Sequence, residues 1–345
     1  MRLTERQKQT VALGAVSLGA LLVARALRRD DYDFSGKSVV VTGGSRGLGL
    51  VMGRELAAMG AKLTLMARDE QELQRAAEDI RTREPFAEVL TSVADLRKRH
   101  DAERAVAQAV ERFGAVDVLI NNAGIVQVGP LDHMKLPDYE DAMNTHFWGP
   151  LYMVLAALPY MRRQGEGRIV NISSIGGKLA VPHLVPYCAS KFALTGLSDG
   201  LRIELARENI VVTTVCPGLM RTGSPVNAMF KGQRPQEYAW FAISDSLPLT
   251  SINVERAARQ ILTACRRGDA ELIITVQAQM AVMARTLAPE LFQDAMAVVA
   301  RLLPRPTGTE GDVARRGKES ESEWAPSKLT APTYSAAEKN NELGQ

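Results

Sequence analysis

The chain has 345 residues, 46% hydrophobic and 23% charged. This suits one large α/β domain with extensions, or two small domains, and it is an ordinary composition for a globular core. A formal net charge of +3 is too weak to indicate nucleic-acid binding, and several basic residues sit in the terminal arms rather than in one stripe.

In chain order, the first feature is an apolar run from Val11 to Ala24, broken only by Ser17. Arg2, Arg6 and Lys8 precede it, and Arg25, Arg28 and Arg29 follow. The run is shorter than the roughly 20 residues of a spanning helix, but Ala26 and Leu27 extend it past Arg25, whose stem can snorkel. A short membrane anchor over residues 11–27 is the favoured expectation. A cleaved signal peptide fits less well, because arginines crowd the cleavage region. A helix packed on the protein or a partner is the third reading. Basic flanks on both sides leave its orientation unset.

From residue 33 the pattern becomes regular. Lys37 to Thr42 is a short apolar strand ending at a glycine cluster, followed by a helix from Leu48 to Met59. A strand at Lys62–Met66, a charged helix at Glu70–Arg83, a weak strand near Val89 and a helix at Arg97–Phe113 follow. The fourth strand is Val116–Ile120, and separate helices are expected at Pro137–Thr145 and Leu151–Gln164. Then come a strand at Arg168–Ile172, a long helix at Tyr187–Arg207, a strand at Ile210–Val215, a helix at Asn253–Arg267 and a strand at Glu271–Val276. Strands alternating with helices predict a Rossmann-type, doubly wound, seven-stranded parallel sheet with helices on both faces, spanning residues 33–276. Leu219–Leu249 shows no clear periodicity and reads as a long loop or lid carrying Met229, Phe230, Tyr238, Trp240 and Phe241. Residues 277–305 form a Met-, Ala- and Leu-rich helical extension, facing either a lipid or partner surface or the core. Residues 306–345, rich in Glu, Lys, Ser, Pro and Gly, are expected to be disordered. Cys188, Cys216 and Cys265 are odd in number and far apart, which suits reduced, buried thiols.

The first strand runs into Thr42-Gly43-Gly44-Ser45-Arg46-Gly47-Leu48-Gly49 and then directly into a helix. Glycines permit a sharp turn and close approach of a pyrophosphate. The helix N-terminus offers it free N–H groups and a positive dipole end. This TGxxxGxG spacing, with Asn121-Asn122-Ala123-Gly124 after the fourth strand, resembles the short-chain dehydrogenase/reductase family over Phe34 to Val276.

The resemblance implies a nicotinamide dinucleotide on Gly43, Ser45, Arg46, Gly47, Leu48 and Gly49. Asn122, Ala123 and Gly124 would border its adenine ribose, and Asp95 and Leu96 its adenine. An acidic residue after the second strand would accept from the ribose 2′-OH and favour NAD. Here that slot is Ala67, followed by Arg68, with Arg46 inside the loop. Two guanidinium groups suit a 2′-phosphate, so NADP(H) is expected. A one-residue shift would make Asp69 the ribose partner instead, and solvated surface arginines are the plain alternative.

Tyr187-Cys188-Ala189-Ser190-Lys191 puts a phenol and an ammonium on one helix face, one turn apart. Lowering a tyrosine pKa from ~10 to near 7 needs ~4 kcal/mol. A neighbouring ammonium in a partly dry site, aided by an oxidised nicotinamide, can supply that. The resemblance implies a tetrad of Asn144, Ser174, Tyr187 and Lys191. Ser174 would bind the substrate oxygen and Tyr187 act as general acid or base. Lys191 would also hold the nicotinamide ribose, and Asn144 hold a water relaying protons to Lys191. Ser173 competes with Ser174, and spacing favours Ser174. Pro217, Gly218 and Thr222 match the family's positions beside the nicotinamide, although Thr222 also reads as an ordinary loop residue. His146 has no metal-ligand partner at helical spacing and reads as a packed or surface histidine, so no metal is expected.

The expected activity is therefore hydride transfer between NADPH and a ketone or secondary alcohol. The apolar ends suggest a lipophilic small molecule and a membrane-associated enzyme with its domain in the cytoplasm. Dimers or tetramers are implied by the resemblance alone. An extended-branch epimerase or dehydratase fits less well, lacking its TGxxGxxG spacing and larger C-terminal domain. A non-catalytic NADP(H)-binding, membrane-tethered module would be expected to carry a broken tetrad.

Overall fold

The computed structural model describes residues 32–247 and 251–343. Its centre is a seven-stranded, all-parallel sheet: β1 (Ser38–Thr42), β2 (Lys62–Ala67), β3 (Val89–Val93), β4 (Val118–Asn121), β5 (Gly167–Ile172), β6 (Ile210–Pro217) and β7 (Glu271–Ile274). Their order is β7-β6-β5-β4-β1-β2-β3. Val39, Val40 and Val41 of β1 are wholly buried, as expected of a strand covered on both faces. In register, Val40 lies between Thr64 of β2 and Leu119 of β4. The sheet reverses its winding between β1 and β4, so a crevice opens beyond their carboxyl ends.

Helices α1 (Gly47–Ala58), α2 (Glu70–Arg83), α3 (Arg99–Phe113), α4 (Leu136–Met143), α5 (Gly149–Gln164) and α6 (Val185–Glu204) connect the first six strands. On one face, Val106 of α3 and Met153 and Val154 of α5 pack against Val40, Leu119 and Ile169. Asp69 caps α2 by accepting from Glu72 N at 2.8 Å. Within the sheet, Asn121 Nδ2 donates to Asn171 Oδ1, Asn171 Nδ2 to Ser198 Oγ of α6, and Thr214 Oγ1 of β6 to the same hydroxyl. This buried polar chain fastens the Asn121–Gly124 segment to two neighbouring strands and a helix. All three cysteines are buried and unpaired.

Three segments differ from the sequence expectations, and a fourth, the helical extension, resolves between its two readings. The helices around Asn144 are not separate, because a π-helical turn, Asn144–Trp148, joins α4 to α5. The described part of the expected loop, residues 219–247, is ordered, with a strand Leu219–Arg221 paired to Ser251–Asn253, a short helix Ser224–Asn227, a strand Met229–Phe230 and α7 (Arg234–Ser246). Its aromatic residues are largely packing: Phe230 and Tyr238 are fully buried, edge-to-face at 5.4 Å, and Phe241 meets Phe230 edge-on at 5.9 Å.

After α8 (Val254–Arg267) and β7, the extension is a pair of helices, α9 (Val276–Leu287) and α10 (Pro289–Leu302). The core reading of this extension does not hold, since α10 buries no residue and Met280, Met283, Leu287, Leu291 and Leu302 are exposed. Residues 306–343, expected to be disordered, are instead folded. Arg315–Arg316 pairs antiparallel with Met229–Phe230, and α11 (Ala331–Lys339) packs on α7 through Ser246 Oγ–Thr333 Oγ1 at 2.7 Å and a Tyr238–Tyr334 hydroxyl contact. Its anchors are polar and buried, so the tail has no apolar period to read. No helix among the described residues is long and apolar enough to cross a membrane. The anchor expected over residues 11–27 lies outside them.

Candidate active site

A cleft of about 750 Å³ opens at the carboxyl ends of the strands. At one end lies the turn between β1 and α1. Gly43 and Gly47 have φ of +65° and +54°. A Cβ on Gly49 would lie 2.1 Å from the Gly43 carbonyl oxygen, and one on Gly43 would lie 2.9 Å from Ala123 Cα. Side chains are therefore excluded where the turn crosses the Asn121–Gly124 segment. Thr42 Oγ1 accepts from Asn122 N and Ala123 N at 2.9 and 3.1 Å, and Asn122 Nδ2 donates to Thr42 O at 3.0 Å. Gly43, Ser45, Arg46, Gly47 and Leu48 line the cleft, whereas Gly49 sits behind them.

Beside this turn, Arg46 Nη1 pairs with Glu72 Oε1 at 2.8 Å, and Ser45 Oγ donates to Glu72 Oε2 at 3.1 Å. Arg68 is exposed at the cleft edge. Because Asp69 uses its carboxylate as a helix cap, it is committed to α2. Asp95 and Leu96 also line the cleft, and Asp95 is held below its usual carboxylate range chiefly by hydrogen bonds from Arg97. The basic pair fits a phosphorylated ribose once Glu72 yields Arg46, and the glycine turn fits a pyrophosphate once Asn340, whose carbonyl accepts from Gly47 N, leaves it.

The other end is built from β5 and α6. Ser174, just past β5, accepts from Gly176 N at 3.0 Å and hydrogen-bonds the Tyr187 hydroxyl. Ser173 is spent inside the fold, bonded to Lys191 O at 3.0 Å and Thr195 Oγ1 at 2.8 Å, so Ser174 is the serine available for chemistry. Lys191 Nζ donates to Ile172 O at 2.8 Å and lies 5.8 Å from the Tyr187 ring centroid. Burial lowers the lysine to about 7. Burial also raises the Tyr187 phenol, and the Ser174 hydrogen bond partly opposes this. Burial therefore works against the acidification by a neighbouring ammonium that the spacing suggests. Pro217, Gly218 and Thr222 complete the wall, with Thr222 Oγ1 donating to Ser224 Oγ at 2.7 Å.

Asn144 does not line the cleft, but His146, two positions on in the π turn, does. The extra residue per turn alters which side chains face inward, and helical spacing does not report such a turn. Met229, from the segment expected to form a lid, lines the cleft, and so do Glu72, Met220, Arg316 and Glu342 without a sequence signal. Glu342 comes from the tail, accepting from Gly223 N at 2.6 Å. No cluster of His, Cys, Asp and Glu suited to a metal occurs among the described residues.

A family model described as short chain dehydrogenase matches residues 37–230. Dehydrogenase/reductase SDR family member 7B of Danio rerio is 33% identical, covering 87% of this chain and 96% of its own length. 11-beta-hydroxysteroid dehydrogenase A of Sesamum indicum is 36% identical, covering 69% of this chain and 68% of its own. Among solved structures, levodione reductase superposes with a TM-score of 0.62 at 25% identity, covering 71% of this chain and 99% of that one.

Proposed function

The chain belongs to the short-chain dehydrogenase/reductase family of oxidoreductases, and from that premise we propose an NADPH-dependent enzyme for a lipophilic ketone or secondary alcohol. The observation that carries this reading is the convergence of Ser174, Tyr187 and Lys191 on one cleft with the glycine turn. Backbone N–H groups of Ser45, Gly47 and Leu48 would hold the pyrophosphate, and Arg46 and Arg68 the 2′-phosphate. Asn122, Ala123, Gly124, Asp95 and Leu96 would flank the adenosine, with Lys191, Pro217, Gly218 and Thr222 at the nicotinamide end. When bound, the dinucleotide supplies the hydride carrier.

Ser174 and Tyr187 then hold the substrate oxygen by two hydrogen bonds. In reduction, Tyr187 gives that oxygen its proton; in oxidation, it takes the alcohol proton, with the Lys191 ammonium stabilising the phenolate. Likeness to a hydroxysteroid dehydrogenase supports an apolar substrate, as do Val126, Met220 and Met229 in the cleft wall. The exposed apolar faces of α9 and α10 support association with a membrane surface alongside residues 11–27. The test is NADPH consumption across a panel of steroid, retinoid and fatty-acyl ketones in detergent, beside small polar ketones. Turnover confined to the polar ketones refutes the lipophilic reading.

A further inference from the structure

His146 is wholly buried against the catalytic tyrosine. Its ring meets the Tyr187 ring edge-on, with centroids 5.4 Å apart and planes at 88°. Its Nε2 accepts from Ile125 N at 3.1 Å, directly after the Asn121–Gly124 segment. Its Nδ1 lies 2.8 Å from Ser190 Oγ, and Ser190 donates its own proton to the Tyr187 carbonyl oxygen at 2.8 Å. The serine proton is therefore committed, so His146 Nδ1 carries the hydrogen and donates it. One ring nitrogen accepts, the other donates, and the imidazole is neutral. A Cβ on Gly124 would lie 3.1 Å from His146 Nε2 and 3.8 Å from Lys191 Nζ, so ring and ammonium share one small space.

We propose that His146 is a positioning residue, an uncharged and hydrogen-bond-locked imidazole that ties the Tyr187 turn of α6 to the Ile125 backbone and fills the space beside Lys191. It lies beside Lys191, where an asparagine-held relay water was expected, and with both nitrogens committed it passes no proton on. Lys191 and Tyr187 are the ionisable groups around it; burial and the Lys191 charge both hold its pKa well below the usual histidine range.

The test compares His146→Phe and His146→Gln in the full chain. His146→Phe keeps ring contact but strands the Ile125 N–H and frees Ser190. It should lower kcat by about 10- to 100-fold, with KM for NADPH changed less than about threefold, and move the pH profile of kcat. His146→Gln, with one donor and one acceptor, should recover part of that loss. Unchanged kcat and pH profile in His146→Phe, with only a lower Tm, would overturn the proposal. In the unmodified protein, nuclear magnetic resonance should find this imidazole neutral and Nδ1-protonated from pH 6 to 9. An imidazolium at pH 7 would equally overturn it.

A second observation stands independently of the first. The tail ends on the glycine turn: Gly47 N donates to Asn340 O at 2.9 Å, and Asn341 Nδ2 donates to Ser45 O at 2.9 Å. Arg54 and Arg75 hold the side chains of Asn340 and Asn341 at 2.6 and 3.0 Å. The buried Glu342 carboxyl lies so close that a Cβ on Gly47 would be 2.9 Å from Oε1. We infer that residues 340–342 occupy the pyrophosphate position and must withdraw when a dinucleotide enters, so that the tail competes with its own cofactor. This rests on the cofactor reading above.

Both Glu342→Ala and a chain ending at Lys339 retain all residues of α11. Either should tighten binding of NADPH and NADH alike, by about fivefold or more, measured by calorimetry. Unchanged or weaker binding would overturn the inference. Failure of the unmodified chain and both variants to bind either dinucleotide would overturn the cofactor reading and, with it, this one.

Discussion

Cofactor choice is the property of the cleft most open to quantitative attack. Replacing Arg46 and Arg68 together with alanine removes both guanidinium groups from the edge of the glycine turn. A charge-assisted hydrogen bond contributes about 1.5–3 kcal/mol. Arg46 must exchange its 2.8 Å pairing with Glu72 to bind a phosphate, and Arg68 is exposed and screened, so both count at the low end. The sum is about 2–3 kcal/mol, or roughly 30- to 150-fold in kcat/KM for NADPH. The value for NADH, which has no 2′-phosphate, should change by less than about threefold. Glu72→Gln, which releases Arg46, should move NADPH in the opposite direction and leave NADH alone. The assay is initial rates with both cofactors at fixed substrate. Parallel losses for NADPH and NADH would refute the assignment of the two arginines.

Other substitutions probe the frame around the site. Gly49→Ala puts a Cβ 2.1 Å from a backbone oxygen and should cost more than about 3 kcal/mol, seen as a lower Tm and lost dinucleotide binding. Gly196→Ala, in α6 with nothing within 4 Å of the new Cβ, should raise stability by about 0.5–1 kcal/mol in denaturant titration. Asp245, buried in α7, is pushed up to about 8 by burial and then by Glu342. Its folded pKa exceeds the unfolded value of about 4, so the fold loses stability as pH rises between those limits. The Tm of Asp245→Asn relative to the unmodified protein should therefore increase from pH 5 to pH 8. Met280→Gln with Leu287→Gln and Leu291→Gln should reduce co-sedimentation with phospholipid vesicles without altering turnover of a soluble ketone; undiminished sedimentation would remove α9 and α10 from membrane association.

Much of this was written in short-range pattern. The buried strands show as brief valine- and isoleucine-rich runs, because a strand covered on both faces needs no alternation. Ser174, Tyr187 and Lys191 were legible because a strand end and one helical turn fix their spacing. His146 was not, since a π turn changes which residue points inward while leaving residue types unaltered. The order of residues 219–247 leaves no local period, because it comes from tertiary packing of Phe230, Tyr238 and Phe241. The tail was illegible for a related reason. Asn340, Asn341 and Glu342 are held by hydrogen bonds to residues far away in sequence, and composition carries no trace of such partners.

The most direct test of the account is kcat for Tyr187→Phe, with dinucleotide binding measured on the same sample. Loss of the proton donor should lower kcat by about 10²- to 10⁴-fold while NADPH still binds. Turnover as fast as in the unmodified enzyme would contradict the assignment of that phenol as the group moving the proton.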